Sequence, residues 1–173
     1  MNEFLEILKY TLPSLVVGAS TILTIRYFFD NEQKNRQAGW RDQNRAVVTP
    51  IRLQAYERIM LFLERINPGS LIVRISDTGQ DARTLQRALV NAVREEYEHN
   101  LSLQVYMSVK AWEMVKSGKE ELITVINQAA GEVPADAEGL ELSRKIFELY
   151  LKQEKPSLVQ AVEFLKKEIN QFF

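Results

Sequence analysis

The chain contains no cysteine and, among its 173 residues, a single histidine, His99. The first absence rules out an acylated lipoprotein anchor and a thiol nucleophile, and it agrees with a reducing compartment. The second leaves any serine nucleophile or imidazole-based centre only His99 to recruit. Glycine and proline are sparse, seven and five against 46% hydrophobic residues, which argues against disorder and against a turn-rich β architecture. An excess of one charge is also missing. With 22 Lys+Arg facing 23 Asp+Glu there is no global field to attract nucleic acid, and no nucleic-acid partner is expected.

What is present begins with one apolar run, residues 8–29, whose central part, 10–25, carries no charge. As a helix it would span about 33 Å, against the roughly 30 Å of hydrocarbon in a bilayer. Lys9 and Arg26 stand near its ends, Tyr10, Tyr27 and Phe28 fall at interfacial depth, and Pro13 lies in the first turns. The run reads as a single transmembrane helix, with the lipid bilayer as its partner. A cleaved signal peptide is opposed by Glu3 and Glu6 ahead of Lys9 and by apolar character that continues beyond Val17-Gly18-Ala19. A buried core helix stays open, because serine and threonine dilute the run. Lys9 stands alone on the N-terminal side while Arg26, Lys34, Arg36, Arg41 and Arg45 follow, so the positive-inside rule puts the C-terminal part in the cytoplasm. Ser14 and Gly18 form a small-x-x-x-small pair that permits a homo-oligomer, an ordinary lipid-facing anchor being the plainer reading.

These features divide the chain into a membrane anchor (1–29), a polar juxtamembrane stalk or linker (30–48) and a cytoplasmic helical domain (49–173), long enough for one core. Thr49-Pro50 predicts a helix start. From there Leu53, Tyr56, Ile59, Met60, Leu63 and Ile66 form an apolar stripe that Asn67-Pro68-Gly69-Ser70 ends. Residues 71–75 are short and β-branched and read as an extended segment. The alternation in 101–107 has a period of two, leaving open a small strand pairing between the two. A helix over about 81–100 carries Leu85, Ala88, Leu89, Ala92 and Val93 inward. Ser108 caps the next, with Trp112, Val115, Leu122, Ile126 and Ala129 inside and Lys116 and Glu120 as a surface pair. Leu142, Ile146, Leu149 and Tyr150 mark a fifth helix. Leu158, Ala161, Val162, Leu165, Ile169 and Phe172 mark a last one, opened by Pro156-Ser157 with Gln160 completing a capping box.

Candidate chemistry is thin. Glu96-x-x-His99 has the spacing of a di-iron half-site, but such centres use the motif twice and the chain has one histidine. Lys116-Ser-Gly-Lys119 lacks the first glycine of a phosphate loop and sits in a helical pattern. Glu95 and Glu96 are adjacent and so point apart on a helix, and Tyr56 and Trp112 belong to core stripes. No catalytic, cofactor-binding or metal residue is expected. The residues left for function are surface ones: Arg36, Arg41 and Arg45 for lipid headgroups, and Glu95, Glu98 and His99 for a protein partner.

Two blocks, 52–68 (RLQAYERIMLFLERINP) and 94–112 (REEYEHNLSLQVYMSVKAW), together with the apolar N-terminus, resemble a family of uncharacterised single-pass proteins of Bacteroidota bacteria. The resemblance runs to about Gly131 and implies a bacterial inner-membrane protein with a cytoplasmic helical domain, without implying an activity. The sequence therefore predicts an all-α protein: one transmembrane helix, a polar helical stalk and a cytoplasmic bundle of about five helices. The expected role is a membrane-tethered, non-enzymatic interaction or scaffold module, with an accessory subunit of a larger inner-membrane complex as the alternative.

Overall fold

The computed structural model describes the backbone of residues 2–171, and side chains at positions 15, 17, 18, 20–29, 32 and 47–171. Every element within it is helical: α1 (Asn2–Ile66), α2 (Pro68–Ile75), α3 (Ala82–Asn100), a 3-10 helix (Leu101–Tyr106), α4 (Val109–Gly131), α5 (Gly139–Leu151) and α6 (Ser157–Ile169). The all-α expectation holds. Contacts divide the chain into two compact units, Met1–Val48 and Thr49–Phe173.

Among the described residues no helix is long and apolar enough to cross a membrane. The run at 8–29 falls partly outside them. In the part that is described, Leu15, Val17, Ile22, Leu23, Ile25, Tyr27, Phe28 and Phe29 are all exposed. The hydroxyls of Ser20 and Thr21 donate to the Val17 carbonyl at 2.9 and 2.8 Å, and Thr24 donates to Ser20 at 2.8 Å, so each returns to its own helix.

The second unit is built around one core. Tyr56, Ile59, Phe62, Leu63 and Ile66 from the end of α1 meet Leu71 of α2, Leu85, Leu89 and Val93 of α3, Leu122 and Ile126 of α4, Leu142 and Ile146 of α5, and Leu165 of α6. Three- and four-residue spacing on each helix puts these side chains on one stripe, and burying each contributes about 1.5–3 kcal/mol. α4 is the central helix, packing against α3, α5 and α6.

Four local expectations are corrected. Thr49-Pro50 lies inside α1 and does not start a helix; an interior proline costs about 3 kcal/mol through a lost bond and a clash with the preceding turn, which the apolar stripe buried just after it, from Tyr56 to Ile66, outweighs. Residues 71–75 are helical. The Asn67 side chain accepts the Gly69 N–H at 3.1 Å, Pro68 opens the first turn, and Leu71 and Ile72 are buried. Burying those two outweighs a β-branched helix penalty of a few tenths of a kcal/mol per residue. Residues 101–106 form the 3-10 helix with only Leu103 buried, so the period of two marks no strand. The capping box at α6 does not form either. Gln160 Nε2 donates to the Lys155 carbonyl at 2.8 Å, and the helix is capped instead by Glu121 of α4.

Ser108 does cap α4, its Oγ accepting the Ala111 N–H at 3.0 Å. Asp81 caps α3 in the same way, through Thr84 at 2.6 Å. Glu120 bonds Lys119 at 2.7 Å, with Lys116 acting from further away. Phe172 lies outside the described residues.

Candidate functional site

The sequence-derived candidates do not gather into one place. Arg36, Arg41 and Arg45 have side chains outside the described residues. Glu95, Glu98 and His99 are exposed on α3, and the His99 ring donates from Nδ1 to the Glu95 carbonyl at 2.7 Å. Glu96, one residue from Glu95, turns inward and takes a different role. Its carboxylate lies 3.3 Å from Arg65 and 3.7 Å from Arg74, tying α3 to the end of α1 and to α2. The Glu-x-x-His spacing is thus split between a structural ion pair and a helix-end histidine. Among the described residues no group of three or more acidic or histidine side chains is placed to hold a metal.

Tyr56 is fully buried, and burial first, then the Glu168 carboxylate, push its phenol up. Tyr97 stacks on Trp112 with centroids 5.5 Å apart, Phe62 lies 6.0 Å from Tyr97, and the Lys119 ammonium sits 4.2 Å from the Tyr97 ring centroid. These aromatics join α1, α3 and α4 and serve packing.

The concave feature that stands out was not anticipated from sequence. It is a groove of about 920 Å³ between α2 and α5, closed at one end by the turns that precede α3 and α5. Backbone bonds lace those turns together: Ala82 N–H to the Ala137 carbonyl at 2.8 Å, Arg83 N–H to Ala135 at 3.2 Å, and Gly139 N–H to Gln80 at 2.8 Å. The approach at Gly139 leaves no room for a side chain, since a Cβ there would lie 2.9 Å from the Gln80 oxygen. Gly79, at φ +82°, makes the left-handed turn that brings residue 80 to it. The two helix starts are thereby fixed side by side.

Apolar side chains form the walls. Val73 of α2 is 82% exposed, and Leu140 and Phe147 of α5 are 57% and 37% exposed, while Ile72 and Leu85 beneath them belong to the core. Asp77, Asp81, Asp136 and Glu138 stand around the rim, against one cation, Arg144. The Thr84 backbone N–H holds the Asp81 carboxyl below the usual range. Ser143, buried in the groove wall, spends its hydroxyl on the Gly139 carbonyl at 2.9 Å. Among the described residues lining the groove there is no histidine, lysine or tyrosine, and its chemistry is apolar contact, hydroxyls and negative charge. The missed signal was present in α5, where Leu140, Phe147 and Leu151 lie on a different face from the core residues Leu142 and Ile146.

No curated protein and no solved structure matches the chain. A family model described as a family of unknown function, DUF7935, matches residues 2–172, and the chain belongs to that family.

Proposed function

We propose that this is a membrane-tethered, non-enzymatic interaction or scaffold module. Its N-terminal helix is held in the inner membrane of a Bacteroidota bacterium and its second unit faces the cytoplasm. The observation that carries the interaction reading is the groove between α2 and α5, where Val73, Leu140 and Phe147 remain in solvent. Apolar side chains left exposed together and rimmed by polar groups mark a contact surface. Support for the tether comes from residues 15–29. Their described apolar side chains face outward, and the hydroxyls of Ser20, Thr21 and Thr24 are satisfied by their own helix, as a lipid environment requires.

Fractionation tests the tether. The intact chain is expected to sediment with membranes after carbonate washing, and protease added outside spheroplasts is expected to leave its C-terminal part intact. Recovery in the supernatant, or external digestion, would overturn the reading.

Gly18 favours the second reading, an accessory subunit of a larger inner-membrane complex. With Ser14 this glycine forms a small-x-x-x-small pair of the kind that lets two spans approach closely, and a Cβ on it would stand in open space. Gentle detergent extraction separates the two. A stoichiometric membrane partner supports the subunit, and a lone monomer or homodimer supports the tether.

A further inference from the structure

We infer that the groove between α2 and α5 receives a basic amphipathic helix from a partner protein, an inference that rests on the interaction-module reading and gives its docking site a chemistry. α5 carries two apolar lines. Leu142 and Ile146 enter the core, while Leu140 and Phe147, two turns apart, face Val73 across the groove. An occupant that removes these three from water must itself be apolar along one side.

Backbone bonding selects a helix over a strand. Where the groove closes, the carbonyls of Gln80 and Ala137 and the N–H groups of Ala82 and Gly139 are already bonded to one another. They present no open edge to an added strand, whereas a helix needs none, because its own backbone groups are satisfied internally. The helical walls also match: α5, with 13 residues, offers about 20 Å of length, three to four turns of a docked helix.

The rim selects charge. Four carboxylates against one guanidinium line the groove; Asp81 is occupied in capping α3 and feels Arg87 besides, which leaves Asp77, Asp136 and Glu138 against Arg144 to face an occupant. Lysines or arginines flanking the apolar face of the occupant complement that rim. An acidic segment is repelled by it, and so is an anionic lipid surface.

The test uses the full-length chain in neutral detergent. Because the natural sequence has no cysteine, Thr78→Cys, at an exposed position on the groove's edge that leaves Val73, Leu140 and Phe147 intact, accepts a single environment-sensitive dye. Two synthetic helical peptides are titrated in, one of leucine and lysine and one of leucine and glutamate in the same amphipathic pattern. A saturable blue shift with the lysine peptide alone is expected. It should be lost with Leu140→Gln plus Phe147→Gln, which alter exposed positions, and weakened about three- to tenfold by Asp77→Asn plus Asp136→Asn, as for two exposed charge pairs. Equal response to both peptides, no response to either, or a response that survives the Gln substitutions would overturn the inference. So would a shift that appears without peptide as protein concentration rises, which would assign the groove to a second copy, or one produced by neutral vesicles, which would assign it to lipid. Circular dichroism of each variant guards against misfolding. The tether is judged separately by sedimentation, so the two can fail independently.

Discussion

Glu121, in the middle of α4, accepts the backbone N–H of Ser157 at 2.9 Å, and the Ser157 hydroxyl donates to its other oxygen. A carboxylate 36 residues away thus caps the first turn of α6, doing what a local capping residue ordinarily does and placing negative charge at the positive end of the helix. The same carboxylate, after burial, helps push the phenol of Tyr150 up.

Glu121→Ala is expected to lower stability by about 1–2 kcal/mol, the usual cost of a lost cap, or about 2–4 °C in Tm for each kcal/mol in a chain of this size. Ser157→Ala should cost less, because the backbone N–H keeps its acceptor. Thermal denaturation followed by circular dichroism decides it, and equal Tm values for Glu121→Ala and the parent chain would refute the tertiary cap.

Gly118 of α4 lies close against Leu158 of α6. A Cβ there would lie 3.1 Å from Leu158 Cδ2 and 3.3 Å from its Cα. Gly118→Ala should therefore destabilise by about 1–3 kcal/mol through overpacking. Gly131, the last residue of α4, meets nothing within 4 Å, and Gly131→Ala should stabilise by about 0.4–1 kcal/mol through the unfolded state. Urea denaturation of the pair gives opposite signs if the packing is as described.

Tyr97 bridges Trp112 and the Lys119 ammonium. Tyr97→Leu keeps apolar volume but removes the stack, at a cost of about 0.5–1.5 kcal/mol. In a Trp40→Phe background, where Trp112 is the only remaining indole, the near-ultraviolet dichroism should also collapse. An unchanged spectrum would show that the stack does not persist in solution.

Lys145 lies 2.8 Å from Glu132 and 3.3 Å from Glu148, and Lys152 reaches Glu148 at 2.6 Å. Hydrogen bonds from these ammonium groups hold both glutamates below the ordinary value of 4.5. A depressed carboxylate contributes stability that is present above its unfolded pKa and lost as pH falls through the folded one. The Tm should drop as pH falls below 4.5, and Lys145→Met should shrink that drop. Because the groups are exposed, the effect should also fade in high salt.

Glu96 shows where reading the chain alone fell short. Its neighbours in sequence suggested a solvated run, yet it is drawn to Arg65 and Arg74. Those guanidiniums come from α1 and α2, so no spacing within α3 announces them. The α5 groove face escaped notice for a similar reason. Leu140 and Phe147 fall outside the stripe of Leu142, Ile146, Leu149 and Tyr150, and only the packed structure shows that they line one concavity with Val73 of α2.

The amino-acid order by itself determined the helical class, the stripes of α3, α4, α5 and α6, and the cap at Ser108, because each depends on residues within a turn or two of one another. Only the tertiary structure decided that 71–75 would be helix, that Glu121 would cap α6, and that α2 and α5 would leave an acid-rimmed apolar groove between them. Those outcomes turn on which distant helix arrives alongside. Burial and long-range bonds worth one to several kcal/mol then override local preferences of a few tenths.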